Sequence, residues 1–261
     1  MLALIAGQGD LPRAVVDALP EPALICAMES SPPDRITPDH LFRVEQLGSF
    51  FRWLKARGVT RVCMCGAVGR PDVKLSKLDL PTLMLLPRVL RALKRGDDGA
   101  LRIVIGMLED SGFQVIGAHE AAPALLPEAG VLTAAQPGDG AAAMAALADQ
   151  VSHRQGLQDL GQCCVISGDQ VVAQEDARGT DAMLGELPPV PGGLFYKAPK
   201  PGQERRADLP VIGPNTAVGA IRAGLSGIVI EAGGVMMLDR AAVIEMLDAA
   251  GLFLWVRERD A

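Results

Sequence analysis

Leu2-Ala3-Leu4-Ile5-Ala6-Gly7-Gln8-Gly9-Asp10-Leu11-Pro12 opens the chain with an apolar run, two glycines and a proline. Five consecutive apolar residues suit a strand buried on both faces. Pro12 suits the first turn of a helix, where its missing N–H leaves no bond unmade. The same grammar recurs downstream. Residues 23–27 and 61–65 are further apolar runs of strand length. Between them Leu47, Phe50, Phe51 and Leu54 fall at i, i+3, i+4 and i+7, one face of a helix that Gly58 ends. Leu83, Leu86, Leu90 and Leu93 predict another helix with Pro87 as a local defect, and Leu101, Val104, Ile105 and Leu108 a third before a short strand at 115–116. Strands alternating with helices predict an α/β fold, here an N-terminal Rossmann-like open parallel sheet over residues 1–130. The ligand crevice of such a sheet lies at the carboxyl ends of its strands, where loops 7–10, 66–70 and 117–120 are expected to converge.

Residues 125–140 are rich in Pro, Gly and Ala and look like a connection between halves. An alanine-rich helix over 141–153, with Met144, Leu147 and Val151 on its stripe, completes a linker and connecting segment at 131–150. The remainder, 151–261, predicts a C-terminal mixed α/β domain. Runs 163–166 and 170–173 pair as a hairpin around Ser167-Gly168-Asp169, and helices at 217–223 and 241–250 alternate with strands at 227–230, 236–238 and 252–256.

Composition narrows the function classes. A chain of 261 residues with formal charge −6 lacks the basic surface that nucleic-acid binding requires, so a phosphate ligand is expected to be small. Hydrophobic residues make up 49%, yet no run approaches the ~20 apolar residues of a spanning helix. The start has no basic region of a signal peptide. Five cysteines sit mostly in strand-like runs, which points to reduced core thiols in a cytoplasmic protein.

The chemistry concentrates at 197–210, where Lys197, Lys200, Gln203, Glu204, Arg205, Arg206 and Asp208 stand among Pro199, Pro201 and Pro210. Proline restricts its own φ and its predecessor, so these side chains are presented from a stiff backbone. Cations beside a carboxylate suit a phosphate ester and a divalent metal. Gly179-Thr180-Asp181 adds a second small polar turn with an acid. Near the start, Gly7 and Gly9 with Glu29 about twenty residues on resemble a dinucleotide fingerprint, but Pro12 takes the place of its third glycine. His119 lies in a Gly-bounded loop beside Glu120, with structural and site roles equally open. Asp97 and Asp98 suit a helix cap. The sequence contains no P-loop, H-E-x-x-H or G-x-S-x-G.

Six stretches in order carry a resemblance: 4–12, Gly66-Ala67-Val68-Gly69-Arg70-Pro71-Asp72, 94–98, Gly117-Ala118-His119-Glu120, 179–184 and Arg206-Ala207-Asp208-Leu209-Pro210-Val211-Ile212-Gly213. Together they resemble the UDP-2,3-diacylglucosamine pyrophosphatase family of lipid A biosynthesis, in its two-domain form unrelated to the calcineurin-like enzyme. The likeness extends through Glu231-Ala232-Gly233. It implies a Mg²⁺-dependent or other divalent-metal hydrolase that releases UMP and 2,3-diacylglucosamine 1-phosphate, with the substrate held between two domains. It further implies a cytoplasmic protein of a Gram-negative bacterium, contacting the inner membrane surface through its lipid substrate. The oligomeric state stays open, with a homodimer as one alternative.

On this reading Asp208, matching the family's Asp-Leu-Pro aspartate, holds the metal or orients water, and Asp181 is the second catalytic and metal-binding acid. Gly7, Gly9, Gly66, Arg70, His119, Glu120, Gly179, Thr180, Lys197, Lys200, Gln203 and Arg206 are the expected substrate contacts. Arg178 stands where the family pattern expects an acid, Glu175 occupies the place of an earlier one, and Val73 replaces an aromatic. Residues 83–86 and 235–238 are candidate surfaces for acyl chains. A non-catalytic nucleotide-binding regulator and an NAD(P)-dependent oxidoreductase are the rival readings.

Overall fold

Continuous apolar runs, rather than alternating ones, build the first sheet. The computed structural model describes residues 1–69, 71–94 and 97–258, and divides into two units. Unit 1 comprises Met1–Ala124 together with Glu204–Asp208, and unit 2 comprises Leu125–Gln203 and Leu209–Ala261. The elements of unit 1 are β1 (Leu2–Ala6), α1 (Leu11–Ala18), β2 (Leu24–Met28), β3 (His40–Phe42), α2 (Leu47–Ala56), β4 (Arg61–Cys65), α3 (Leu80–Leu83), α4 (Leu86–Leu93), α5 (Asp97–Asp110), β5 (Gln114–Ile116) and α6 (Ala118–Ala121). Among the described residues the strands form one parallel sheet in the order β3-β2-β1-β4-β5. That order reverses direction beside β1, as the expected Rossmann-like half requires. Ala3, Cys26, Val62 and Val115 present one sheet face to Phe50, Phe51 and Leu54 of α2, Val89 of α4 and Ile105 and Leu108 of α5.

Two details of unit 1 differ from expectation. The leucines at 83–93 belong to two helices, because Pro87 lies in the first turn of α4 and the chain turns at Met84. Proline without an N–H begins a helix more readily than it interrupts one. Strand β3 is only three residues long, beginning with a polar histidine, and carried no periodicity to announce it.

Unit 2 contains β6 (Gly130–Val131), α7 (Ala141–Leu157), β7 (Cys163–Ser167), β8 (Gln170–Gln174), α8 (Thr180–Glu186), β9 (Leu194–Lys197), β10 (Val211–Ile212), α9 (Pro214–Arg222), β11 (Gly227–Glu231), β12 (Met236–Met237), α10 (Arg240–Ala250) and β13 (Phe253–Arg257). Its larger sheet has the order β6-β13-β11-β9-β7-β8, with β9, β11 and β13 parallel and the outer strands antiparallel. Alternate residues serve two cores. Cys164, Ile166, Leu194, Tyr196 and Val229 meet α7. Cys163, Val165, Phe195, Ile228 and Ile230 meet α8, α9 and α10. The buried stripe of α7 is Ala141, Ala145, Ala148 and Val151, with Met144 and Leu147 only at its margin. Small side chains let this helix approach the sheet closely, which hydrophobicity alone did not indicate. All five cysteines are free and buried. Burial pushes the Cys26 and Cys164 thiols up to about 12, so they stay protonated at neutral pH.

Candidate functional site

Unit 1 gathers Gly7, Gly9, Gly66, His119, Glu120, Arg206 and Asp208, while Arg70 lies outside the described residues. The loops after β1 and β4 are tied to each other: the Gln8 amide donates to Ala67 O at 2.7 Å and the Ala67 amide to Gln8 O at 2.9 Å. A Cβ on Gly7 would collide with the Ala67 carbonyl, and one on Gly66 with Pro12 and Gln8. Close backbone approach therefore accounts for both glycines. The Gly7 amide donates to Cys65 O at 2.8 Å and the Gly9 amide to Asp34 Oδ2 at 2.6 Å, so these N–H groups already have protein acceptors. Glu29, the acid of the dinucleotide reading, is held by Arg43 Nε at 2.6 Å. The pair stands in the wall of a cavity of about 260 Å³ at the carboxyl ends of β2 and β3, lined also by Glu45, Lys74 and Lys77.

The third loop, after β5, carries the strap Glu204–Asp208. The Arg205 carbonyl comes close to Gly117. Arg206 pins the strap: Nε and Nη2 donate to the Glu204 carboxylate at 2.8 and 2.9 Å, and Nη1 to Glu109 of α5 at 2.6 Å. Arg102 of α5 faces Glu204 at 3.8 Å. These charge-assisted bonds hold the Arg206 guanidinium above its ordinary pKa and Glu204 below its own. The Asp208 amide donates to Glu204 O at 3.0 Å, which fixes a half-buried carboxylate at the end of the turn. Sequence reasoning missed Glu109, Arg102 and Asp34 as partners, since no local pattern links residues so far apart in the chain.

His119 is the second residue of this loop's helix, with its side chain mostly buried. Its Nε2 lies 3.8 Å from Glu120 Oε1, and its Nδ1 is buried with no hydrogen-bond partner. Desolvation lowers its pKa; Glu120 opposes that fall, and Arg205 adds to it more weakly. The imidazole is therefore neutral at pH 7, and the folded state binds fewer protons here than the unfolded chain. Stability from this group is complete above the ordinary 6.5 and is withdrawn as pH falls from there through the lowered value. Titrating the ring protons by NMR is expected to give a midpoint below 6.5; a midpoint at or above that value would contradict the desolvated placement.

Unit 2 holds Gly179, Thr180, Asp181, Lys197, Lys200 and Gln203. Gly179, at φ 86°, precedes α8 in a conformation that suits glycine. Lys197 ends β9 and is 5% exposed. Its ammonium donates to Thr180 Oγ1 at 2.8 Å and Val211 O at 2.9 Å. Thr180 Oγ1 in turn donates to Glu175 Oε1 at 2.8 Å, while Glu175 Oε2 accepts from the Gln162 amide at 2.7 Å. This buried chain ties the end of β9 to the start of α8 and to β10. Lys200 pairs with Asp159 at 2.6 Å, and Gln203 Oε1 accepts from the Lys200 amide at 2.9 Å. Asp181 is exposed in the first turn of α8, 3.5 Å from Asn215 Nδ2. Arg178 bridges Asp176 and Glu186, clamping the turn before α8.

Asp208 and Asp181 thus belong to separate units, and no group of three or more His, Cys, Asp or Glu that suits a metal ion occurs among the described residues. Of the expected acyl-chain surfaces, Val235, Met236 and Met237 are core, whereas Leu83 and Met84 are exposed. No helix among the described residues is long and apolar enough to cross a membrane.

Two family models match this chain, the LpxI N-terminal domain over residues 1–125 and the LpxI C-terminal domain over residues 128–255. Among curated proteins, the UDP-2,3-diacylglucosamine pyrophosphatase LpxI of Caulobacter vibrioides is 39% identical over 221 residues, 81% of this chain and 79% of that one.

Proposed function

The chain belongs to the LpxI family, and on that premise we propose that it hydrolyses the pyrophosphate of UDP-2,3-diacylglucosamine to UMP and 2,3-diacylglucosamine 1-phosphate in lipid A biosynthesis. Membership of both halves in that family's two domains is the observation that carries the reading. Hydrolysis adds water across the P–O–P bridge: one new P–O bond forms, the bridging P–O bond breaks, and a water proton is lost. The barrier comes from bringing a nucleophile to phosphorus through its negatively charged oxygens.

Asp208 is the carboxylate we assign to the water. It sits on a strap fastened to α5 through Arg206, Glu204 and Glu109, which limits how far the acid strays from one position. Neutral His119 lies in the loop beside that strap and offers an uncharged donor or acceptor to the same end of unit 1. The engaged guanidinium of Arg206 makes it a positioning residue for Asp208 rather than a phosphate ligand. In unit 2 we assign substrate contact to exposed Asp181 and to the Lys200 ammonium, whose single carboxylate partner, Asp159, is solvent-exposed and can be exchanged for a phosphate.

Metal dependence fits this donor set in one form. Mg²⁺ retains waters and commonly needs only one or two carboxylates plus substrate phosphates, so Asp208 would suffice as the protein ligand of an ion held jointly with the diphosphate, without a three-ligand cluster among the described residues. When bound it would neutralise phosphate charge. A substrate that joins UDP to a lipid supports a cytoplasmic enzyme working beside the inner membrane.

Incubation with UDP-2,3-diacylglucosamine and Mg²⁺ is expected to yield UMP and the monophosphorylated lipid, with turnover lost on chelation and restored by added Mg²⁺. Failure to release UMP would reject the hydrolase reading, and turnover indifferent to chelation would reject the metal.

A further inference from the structure

Residues 74–94 of unit 1 join exposed apolar side chains to an excess of cations. Leu80 and Met84 are 82% and 85% exposed, and Leu83 and Leu90 are exposed as well. In α4, Val89 and Ala92 turn into the core, while Pro87, Leu90, Arg91 and Lys94 occupy the outward positions i, i+3, i+4 and i+7. The apolar patch that faces solvent is therefore centred on α3 and Met84, and α4 continues it with a row half apolar and half cationic. Large side chains so exposed and so close in sequence are not ordinary surface scatter.

The charge within this stretch is one-sided. This stretch contains Lys74, Lys77, Arg88, Arg91 and Lys94 against one acid, Asp79, in a chain whose formal charge is −6. Asp79 caps α3, accepting from the Thr82 amide at 2.8 Å, and Arg88 is paired with Asp110. Lys74 and Lys77 are exposed but share the cavity wall with Glu29, Glu45 and Asp72, so the cations standing beside the apolar side chains are Arg91 and Lys94, both exposed. Apolar side chains flanked by long cationic ones match a membrane interface, where the former enter the acyl boundary and the latter reach lipid phosphates.

We propose that this face docks unit 1 on the surface of a bilayer containing anionic phospholipids. A second copy is a poorer occupant, because a two-fold contact would bring the same cations against one another. The proposal rests on the reading of the substrate as a lipid, which a membrane delivers.

The test is sedimentation with vesicles of phosphatidylcholine carrying about one-quarter phosphatidylglycerol. The wild type is expected to sediment with these vesicles, to bind neutral vesicles far less, and to be released by salt. Leu80→Ser with Met84→Ser is expected to lower partitioning about 30-fold through lost apolar burial. Arg91→Gln and Lys94→Gln together are expected to lower it about 30-fold and flatten the salt dependence. An environment-sensitive fluorophore on Met84→Cys is expected to shift blue with anionic vesicles. Failure of the wild type to sediment, equal binding to neutral vesicles, an unshifted fluorophore, or a dimer that the Leu80 and Met84 changes dissociate would each overturn the proposal. UMP release from detergent-dispersed substrate, scored separately, reports on the hydrolase reading whatever the vesicles show.

Discussion

Asp208→Asn is expected to leave a protein that melts like the wild type and releases UMP about three orders of magnitude more slowly, the loss typical of a group that acts on the reacting centre. The expectation follows from how the residue is held. Its amide bonds to Glu204 O, and its strap is fastened by the Arg206 fork to Glu204 and to Glu109, so the amide replacement leaves the backbone anchors in place. What it removes is the negative charge. Asparagine can neither take a proton from water at neutral pH nor offer an anionic oxygen to a divalent ion. The kinetic signature distinguishes this from a binding loss: kcat falls while KM stays within a few-fold. Asp208→Ala is expected to behave alike, which rules out an artefact of the amide. Near-normal UMP release by both variants would remove Asp208 from the chemistry, and a collapsed melting transition in both would make it a structural acid instead.

Legibility from sequence tracks the range of the interactions involved. The strand and helix alternation of unit 1 was visible because burial on both faces makes β1, β2 and β4 near-continuous apolar runs and because α2 carries its leucines and phenylalanines at helical spacing. Hairpin β7–β8 announced itself by the Gly168 turn between two apolar runs. Strand β9 did not. Its central place in the sheet comes from pairing with β7 and β11, and its last residue is a lysine, which drew attention as a ligand instead of as a strand end. For the same reason the segment 197–210 read as one stiff basic patch. Its residues divide, with 197–203 in unit 2 and 204–208 in unit 1. Residue types correctly marked where charges accumulate. Only the fold reveals that Arg206 is occupied by Glu109, ninety-seven positions away in sequence, and that the Gly9 amide is occupied by Asp34.

Lys197 separates these two views most sharply. As a phosphate ligand it would stand in solvent reach, and Lys197→Met would raise KM while leaving the melting midpoint alone. The structure instead buries it, with its ammonium donating to Thr180 Oγ1 and the Val211 carbonyl, and with Glu175 on the far side of the same hydroxyl. Removing the cation leaves the Val211 carbonyl without a donor and strips the charged partner from the Thr180 hydroxyl, through which Glu175 is reached. Leaving a buried polar group unsatisfied costs about 1–3 kcal/mol. Lys197→Met is therefore expected to lower the stability of unit 2 by about 2–3 kcal/mol, and Lys197→Met with Glu175→Gln to lose less than the two single changes summed. Denaturant melts of the two variants and of Glu175→Gln alone complete the cycle. A single variant of unchanged stability and raised KM would return Lys197 to the substrate. Additive losses in the double variant would deny that the two charges share one network, and with it the tie that holds β9, α8 and β10 together.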